Sequence, residues 1–144
     1  MKIMVSACLL GENCKYNGGN NYNEKLAAFT REHTVIPVCP EVLGGLPVPR
    51  PNSEIVNGVV INREGHSVDA EYRRGAELAL ALARREQPDL IILQSRSPSC
   101  GVRQIYDGTF TGTKIPGQGI FAACAIREGF RVIDVEELQK EQET

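Results

Sequence analysis

The chain has 144 residues, enough for one compact domain, and its 42% hydrophobic residues can fill an ordinary core without staples. A formal charge of −2 leaves no broad basic surface for a nucleic-acid duplex, and the lack of Trp argues against a base-stacking platform. No apolar run approaches the roughly 20 residues of a membrane span, and Met1–Cys8 runs into Gly11 without the apolar core of a signal peptide, so cytoplasmic residence is expected.

In chain order, Ile3-Met4-Val5 is a short apolar run followed by turn residues and reads as a buried strand. Asn23 is placed to cap a short helix carrying Leu26, Ala27 and Phe29. Thr34 to Val38 is a second strand, with Pro37 marking an edge position or an irregular exit. Ile55-Val56 and Val59-Val60-Ile61 flank Asn57-Gly58, which predicts a hairpin, and a further turn follows at Arg63-Glu64-Gly65-His66. Asp69 is placed to cap a helix reaching about Glu86, with Tyr72, Ala76, Ala79, Leu80 and Ala83 along one face.

Leu90 to Leu93 is wholly apolar, as a central parallel strand would be. A helix over about 119–128 ends at Gly129, and Arg131-Val132-Ile133 is the last strand. This alternation predicts a single-domain α/β fold, a three-layer sandwich with a mostly parallel, Rossmann-like sheet and an appended β-hairpin. The domain is expected over 1–135, with a charged tail over 136–144.

Five cysteines in a reducing compartment read as ligands, nucleophiles or core filler rather than disulfides. Cys8, Cys39 and Cys100 each fall just past a predicted strand and beside Gly or Pro. The crevice beyond the carboxyl ends of parallel strands is where such folds bind ligands, so these three thiols are expected to converge.

Three chemistries fit that pattern. One is zinc with an open position, although His33 and His66 lie at a polar helix end and in a surface turn. Another is a catalytic thiol, although Cys39 has no basic neighbour in sequence to lower its pKa. The third is a 4Fe–4S cluster on three thiolates with one iron left open. Cys14 is read as a non-ligand thiol and Cys124, in Phe121-Ala122-Ala123-Cys124, as a small core residue. Gly44-Gly45-Leu46-Pro47 lacks the spacing of a phosphate loop and reads as a tight turn.

Several segments together resemble one family. They are Cys8-Leu9-Leu10-Gly11-Glu12-Asn13-Cys14-Lys15-Tyr16-Asn17-Gly18-Gly19, the stretch from Val38-Cys39-Pro40-Glu41 to Pro49-Arg50, Ser97-Pro98-Ser99-Cys100-Gly101, and Ile105-Tyr106-Asp107-Gly108. In this order they are similar to the domain of unknown function 523 family, whose characterised members are thiouracil desulfidases. The resemblance runs from Met1 to about Val135.

It implies an oxygen-sensitive 4Fe–4S cluster on Cys8, Cys39 and Cys100, and a non-redox reaction in which 2- or 4-thiouracil and water give uracil and sulfide. It also implies that Glu41 is the catalytic acidic residue and Ser97 the catalytic serine. Arg50 is read as the partner of a carboxylate or of a substrate carbonyl, and Ser99 as a further substrate contact. A thiolated nucleobase is the expected partner, with no nucleic acid and no membrane. Gln94 stands where the family often has Lys, and Asn17 where it often has Asp. The competing functions are a sensing module that uses the cluster or thiols without turnover, and a zinc-bearing structural domain.

Overall fold

The computed structural model describes residues 1–138; residues 139–144 of the expected tail lie outside them, whereas Leu138 is buried in the core. β1 (Lys2–Ser6) passes into a 3-10 turn over Ala7–Leu10, followed by α1 (Glu24–Thr30). Asn23 caps α1 as expected, its side-chain oxygen accepting the Leu26 N–H at 2.9 Å. β2 (Thr34–Val38) leads directly into the short α2 (Pro40–Leu43).

β3 (Ser53–Val56) and β4 (Val59–Asn62) form the hairpin expected at Asn57-Gly58, whose φ angles of 49° and 80° suit a two-residue primed turn. α3 (Asp69–Glu86) is the long helix. Its cap position belongs to Val68 rather than to Asp69. The Asp69 carboxylate instead accepts the Val60 N–H at 3.0 Å and Arg73 Nε at 3.2 Å, tying the helix to the hairpin.

β5 (Leu90–Leu93), β6 (Gln104–Tyr106), β7 (Lys114–Pro116), α4 (Ile120–Arg127) and β8 (Val132–Asp134) complete the order. The second hairpin, β6–β7, is not foreseen by the sequence pattern, because strands of three residues show too little alternation.

The central sheet has the order β2-β1-β5-β8 with every pair parallel. Pro37 sits on the edge strand β2, as expected of a residue that cannot donate to a ladder. All four residues of β5 are buried. Met4, Ile91 and Leu93 pack under Ala76, Ala79 and Ala83 of α3 and Phe121 and Ala122 of α4. On the opposite face Ile3, Val5 and Ile92 pack against Leu26 of α1 and Leu138. Helices on both faces make the expected three layers, and the chain leaves β1 first toward β2 and later toward β5. A sheet that grows in both directions from one strand opens a crevice at that strand's carboxyl end.

Two glycines set how α2 lies on α3. A Cβ on Gly44 would fall 2.0 Å from the Glu71 carbonyl oxygen, and one on Gly75 would fall 1.9 Å from the Pro40 carbonyl oxygen. Only glycine at both points lets the two backbones touch. That contact brings Glu41, in the first turn of α2, against Tyr72 on α3.

Candidate metal centre and active site

The carboxyl ends of β1, β2 and β5 open into a cavity of ≈ 400 Å³ lined by Cys8, Cys14, Cys39, Cys100, Glu41 and Ser97, among others. The local geometry of each cysteine follows from its sequence neighbours. Cys8 lies in the 3-10 turn closed by Gly11, whose φ is 96°. Cys39 is the N-cap of α2, where Pro40 supplies the first helical residue. Cys100 sits in a turn whose carbonyls cap α4: Pro98 O accepts the Ile120 N–H at 2.7 Å and Ser99 O accepts the Phe121 N–H at 3.0 Å. Ser97 Oγ accepts the Cys100 N–H at 2.8 Å and closes the turn from the other side.

None of these thiols is in a disulfide. Burial pushes the Cys100 thiol up to about 12 and also raises Cys8. Cys14 is likewise raised to about 12, by burial first and by Cys39 next. A free nucleophilic thiol needs the opposite environment, whereas a bound metal removes the proton itself.

Among the described residues no three His, Cys, Asp or Glu side chains gather around a single-ion position. One zinc would need donors at about 2.3 Å from a common point, while the ligands of a four-iron cluster bind separate irons. The donor set fits the second arrangement: three soft sulfurs on adjacent strand ends, facing one cavity. Cys8, Cys39 and Cys100 could hold such a cluster.

Glu41 is the centre of the polar network. Its Oε1 accepts Arg50 Nε at 3.2 Å, Arg50 Nη2 at 3.0 Å and the Tyr72 hydroxyl at 2.9 Å. Its Oε2 accepts the Ser99 hydroxyl at 2.7 Å, and Ser99 Oγ lies 3.3 Å from Ser97 Oγ. Burial first, and then the Glu41 charge, hold the Tyr72 phenol far above its ordinary range, so it serves Glu41 as a donor. Oε1 is therefore saturated, and Oε2 faces the serines.

Of the two readings of Arg50, the structure shows the carboxylate partner. Its side chain is 5% exposed, and its remaining donors reach the Pro47 carbonyl at 3.1 Å and the Cys14 carbonyl at 3.0 Å. Ser99 lines the cavity, but its proton goes to Glu41. Gln94 also lines the cavity, so this departure from the family pattern faces any bound molecule. Asn17 does not line it; its side chain accepts the Gly19 N–H at 2.9 Å and shapes a surface turn.

His33 contacts the N-terminal amine at 2.9 Å and His66 is exposed, and neither lines the cavity. Cys124 lies half-buried on α4, away from it.

Both hairpins wall the cavity, through Ser53 and Glu54 of the first and Tyr106 and Phe110 of the second. The buried Glu54 carboxylate joins them by accepting the Gly108 N–H at 2.9 Å and the Phe110 N–H at 3.1 Å. Tyr72 is the main site residue that sequence reasoning misses. It belongs to the apolar stripe of α3, and its only signal is a hydroxyl in a row otherwise made of Ala and Leu.

A profile of the 2-thiouracil desulfurase family matches residues 3–137. The uncharacterized protein YbbK of Bacillus subtilis (strain 168) is 39% identical over 146 residues, which covers 94% of this chain and 97% of YbbK. Among solved structures, the 4Fe-4S-dependent thiouracil desulfidase TudS superposes with a TM-score of 0.89 at 40% identity, covering 96% of this chain and 93% of that one. A family profile spanning the whole domain, over a fold and cavity of this kind, means that the chain belongs to the 2-thiouracil desulfurase family.

Proposed function

We propose that this chain is an iron–sulfur-dependent desulfidase that hydrolyses a thiolated pyrimidine, 2- or 4-thiouracil, to uracil and hydrosulfide. The observation that carries this reading is the meeting of three strand-end thiols with the Glu41–Ser99–Ser97 line in one cavity. The 40% identity to a thiouracil desulfidase supports it independently. Cys8, Cys39 and Cys100 would hold a 4Fe–4S cluster and leave one iron without a protein ligand. When bound, the cluster supplies a Lewis-acidic iron with affinity for soft sulfur.

The chain's own residues supply the rest. Arg50 and Tyr72 fix Glu41 through Oε1, so its orientation is set before a substrate arrives. Oε2 is the atom that takes a proton from the attacking water, directly or through the Ser99 hydroxyl, a step worth about 10²–10⁴-fold. Ser97 hydrogen-bonds the pyrimidine or passes a proton along the same line.

The balance is simple: water contributes oxygen to the ring carbon, and sulfur leaves with the protons, with no net electron transfer. A sensor has no use for a carboxylate held in this way beside the thiols, which favours the enzyme. A free base of this size needs no nucleic-acid or membrane surface, and a reducing cytoplasm suits an oxygen-sensitive cluster. Among the described residues no helix is long and apolar enough to cross a membrane.

The test is anaerobic reconstitution with iron and sulfide, analysis of metal and acid-labile sulfide, and incubation with 2- and 4-thiouracil. Uracil and sulfide should appear in equal amounts. A cluster-loaded chain that releases sulfide from neither compound would sink the reading.

A further inference from the structure

Two of the three strand-end sulfurs have a side-chain donor. Cys8 Sγ accepts from Asn21 Nδ2 at 3.5 Å, and Cys100 Sγ accepts from Ser6 Oγ at 3.4 Å. All four residues line the same cavity.

The donors are aimed by their other bonds. Ser6 Oγ accepts the Gln94 backbone N–H at 2.9 Å, so its single proton is left to point at Cys100. Ser99 Oγ is also 3.6 Å from Cys100 Sγ, but its proton is taken by Glu41 in a shorter, charge-assisted bond. The Asn21 backbone N–H donates to the Cys8 carbonyl at 2.9 Å, which holds the amide side chain beside the Cys8 sulfur.

We propose that Ser6 and Asn21 are positioning residues that each donate one hydrogen bond to a cluster-ligating sulfur and so set the electron density on the irons. This rests on reading the cavity as a cluster site. A hydrogen bond to a ligating sulfur draws charge from the iron–sulfur bond and stabilises the more negative oxidation level, which raises the reduction potential. The two bonds together make Cys8 and Cys100 weaker electron donors. The same withdrawal leaves the fourth iron a stronger Lewis acid.

The experiment compares the unaltered chain with Ser6→Ala, Asn21→Leu and Ser6→Thr, each reconstituted anaerobically. Iron and acid-labile sulfide are measured first, then the midpoint potential by titration, then the iron–thiolate stretching bands by resonance Raman. Ser6→Ala and Asn21→Leu should load the same cluster as the unaltered chain and titrate at lower potential, with iron–thiolate bands moved to higher frequency. Ser6→Thr keeps the hydroxyl and should return both readouts to the unaltered values.

Should Ser6→Ala fail to load while Ser6→Thr loads, the hydroxyl is required and the Asn21→Leu potential decides. Unchanged potentials and bands in Ser6→Ala and Asn21→Leu would overturn the proposal. An unaltered chain holding no acid-labile sulfide would remove the cluster reading itself, which is a separate failure.

Discussion

Ser99 donates its hydroxyl proton to Glu41 Oε2 across 2.7 Å, joining two residues 58 positions apart in sequence. Ser97 extends the line by 3.3 Å, so a proton taken up at one end has a continuous path to the other. Glu41→Gln keeps the shape and the Tyr72 contact but loses the basic oxygen. It should hold the cluster's visible absorbance and lose about 10²–10⁴-fold in kcat. Full activity in a cluster-loaded Glu41→Gln chain would remove Glu41 from the mechanism.

Tyr72→Phe removes only the phenolic donor to Oε1 and keeps the ring in its buried slot. A hydrogen bond to a charged group is worth about 1.5–3 kcal/mol. With Oε1 held by Arg50 alone, the chain should therefore turn over about ten- to a hundred-fold more slowly, with cluster content unchanged. Parallel measurements of kcat and iron content check this.

Gly75→Ala puts a methyl group 1.9 Å from the Pro40 carbonyl oxygen. Steric overpacking of this kind costs about 1–3 kcal/mol, and backbone atoms cannot turn aside as a side chain can. The urea midpoint should fall by the corresponding amount, and kcat should fall too, because α2 carries Glu41 and Cys39 together.

Removing the cluster should abolish turnover and leave the fold standing. Both core layers, around Met4 and Ile91 on one face and Ile3 and Ile92 on the other, share only Val38, Cys100 and, at the margin, Cys8 with the cavity. Far-UV circular dichroism of the metal-free chain should match that of the loaded chain, while its thermal midpoint is lower by the binding contribution.

Asp69 links stability to pH. Burial pushes its carboxyl up, but the Val60 N–H and Arg73 outweigh this and hold it below the ordinary carboxylate value. A depressed folded-state pKa contributes stability that is present above the ordinary carboxyl range and is lost as pH falls through the folded value. Denaturation midpoints measured down that range should fall less steeply in Asp69→Asn than in the unaltered chain.

What was legible in the sequence divides along physical lines. The parallel sheet was readable because Leu90 to Leu93 has no polar residue to place elsewhere, and the first hairpin because Asn57-Gly58 meets a backbone demand few other pairs meet. Cys8, Cys39 and Cys100 were readable as a group because each follows a strand. The second hairpin was not, since β6 and β7 are too short to show a period. Tyr72 was hidden because packing and hydrogen bonding use the same face of α3, and periodicity reports only the packing. Arg50 could be paired with a carboxylate on chemical grounds, but not with Glu41 in particular. That choice depends on how the chain turns after Gly44.

The contact between Gly44 and Gly75 also leaves a signature that can be read without coordinates. Glu41 and Gly44 stand at i and i+3, and so do Tyr72 and Gly75, so each polar partner travels with the gap that admits the other helix. A related chain with both pairs keeps the room for the carboxylate–phenol bond, whereas one that has filled either gap must move the carboxylate away from the phenol. Two short words in a sequence, Pro-Glu-x-x-Gly and Tyr-x-x-Gly, therefore separate relatives built like this chain from those that have only its cysteines.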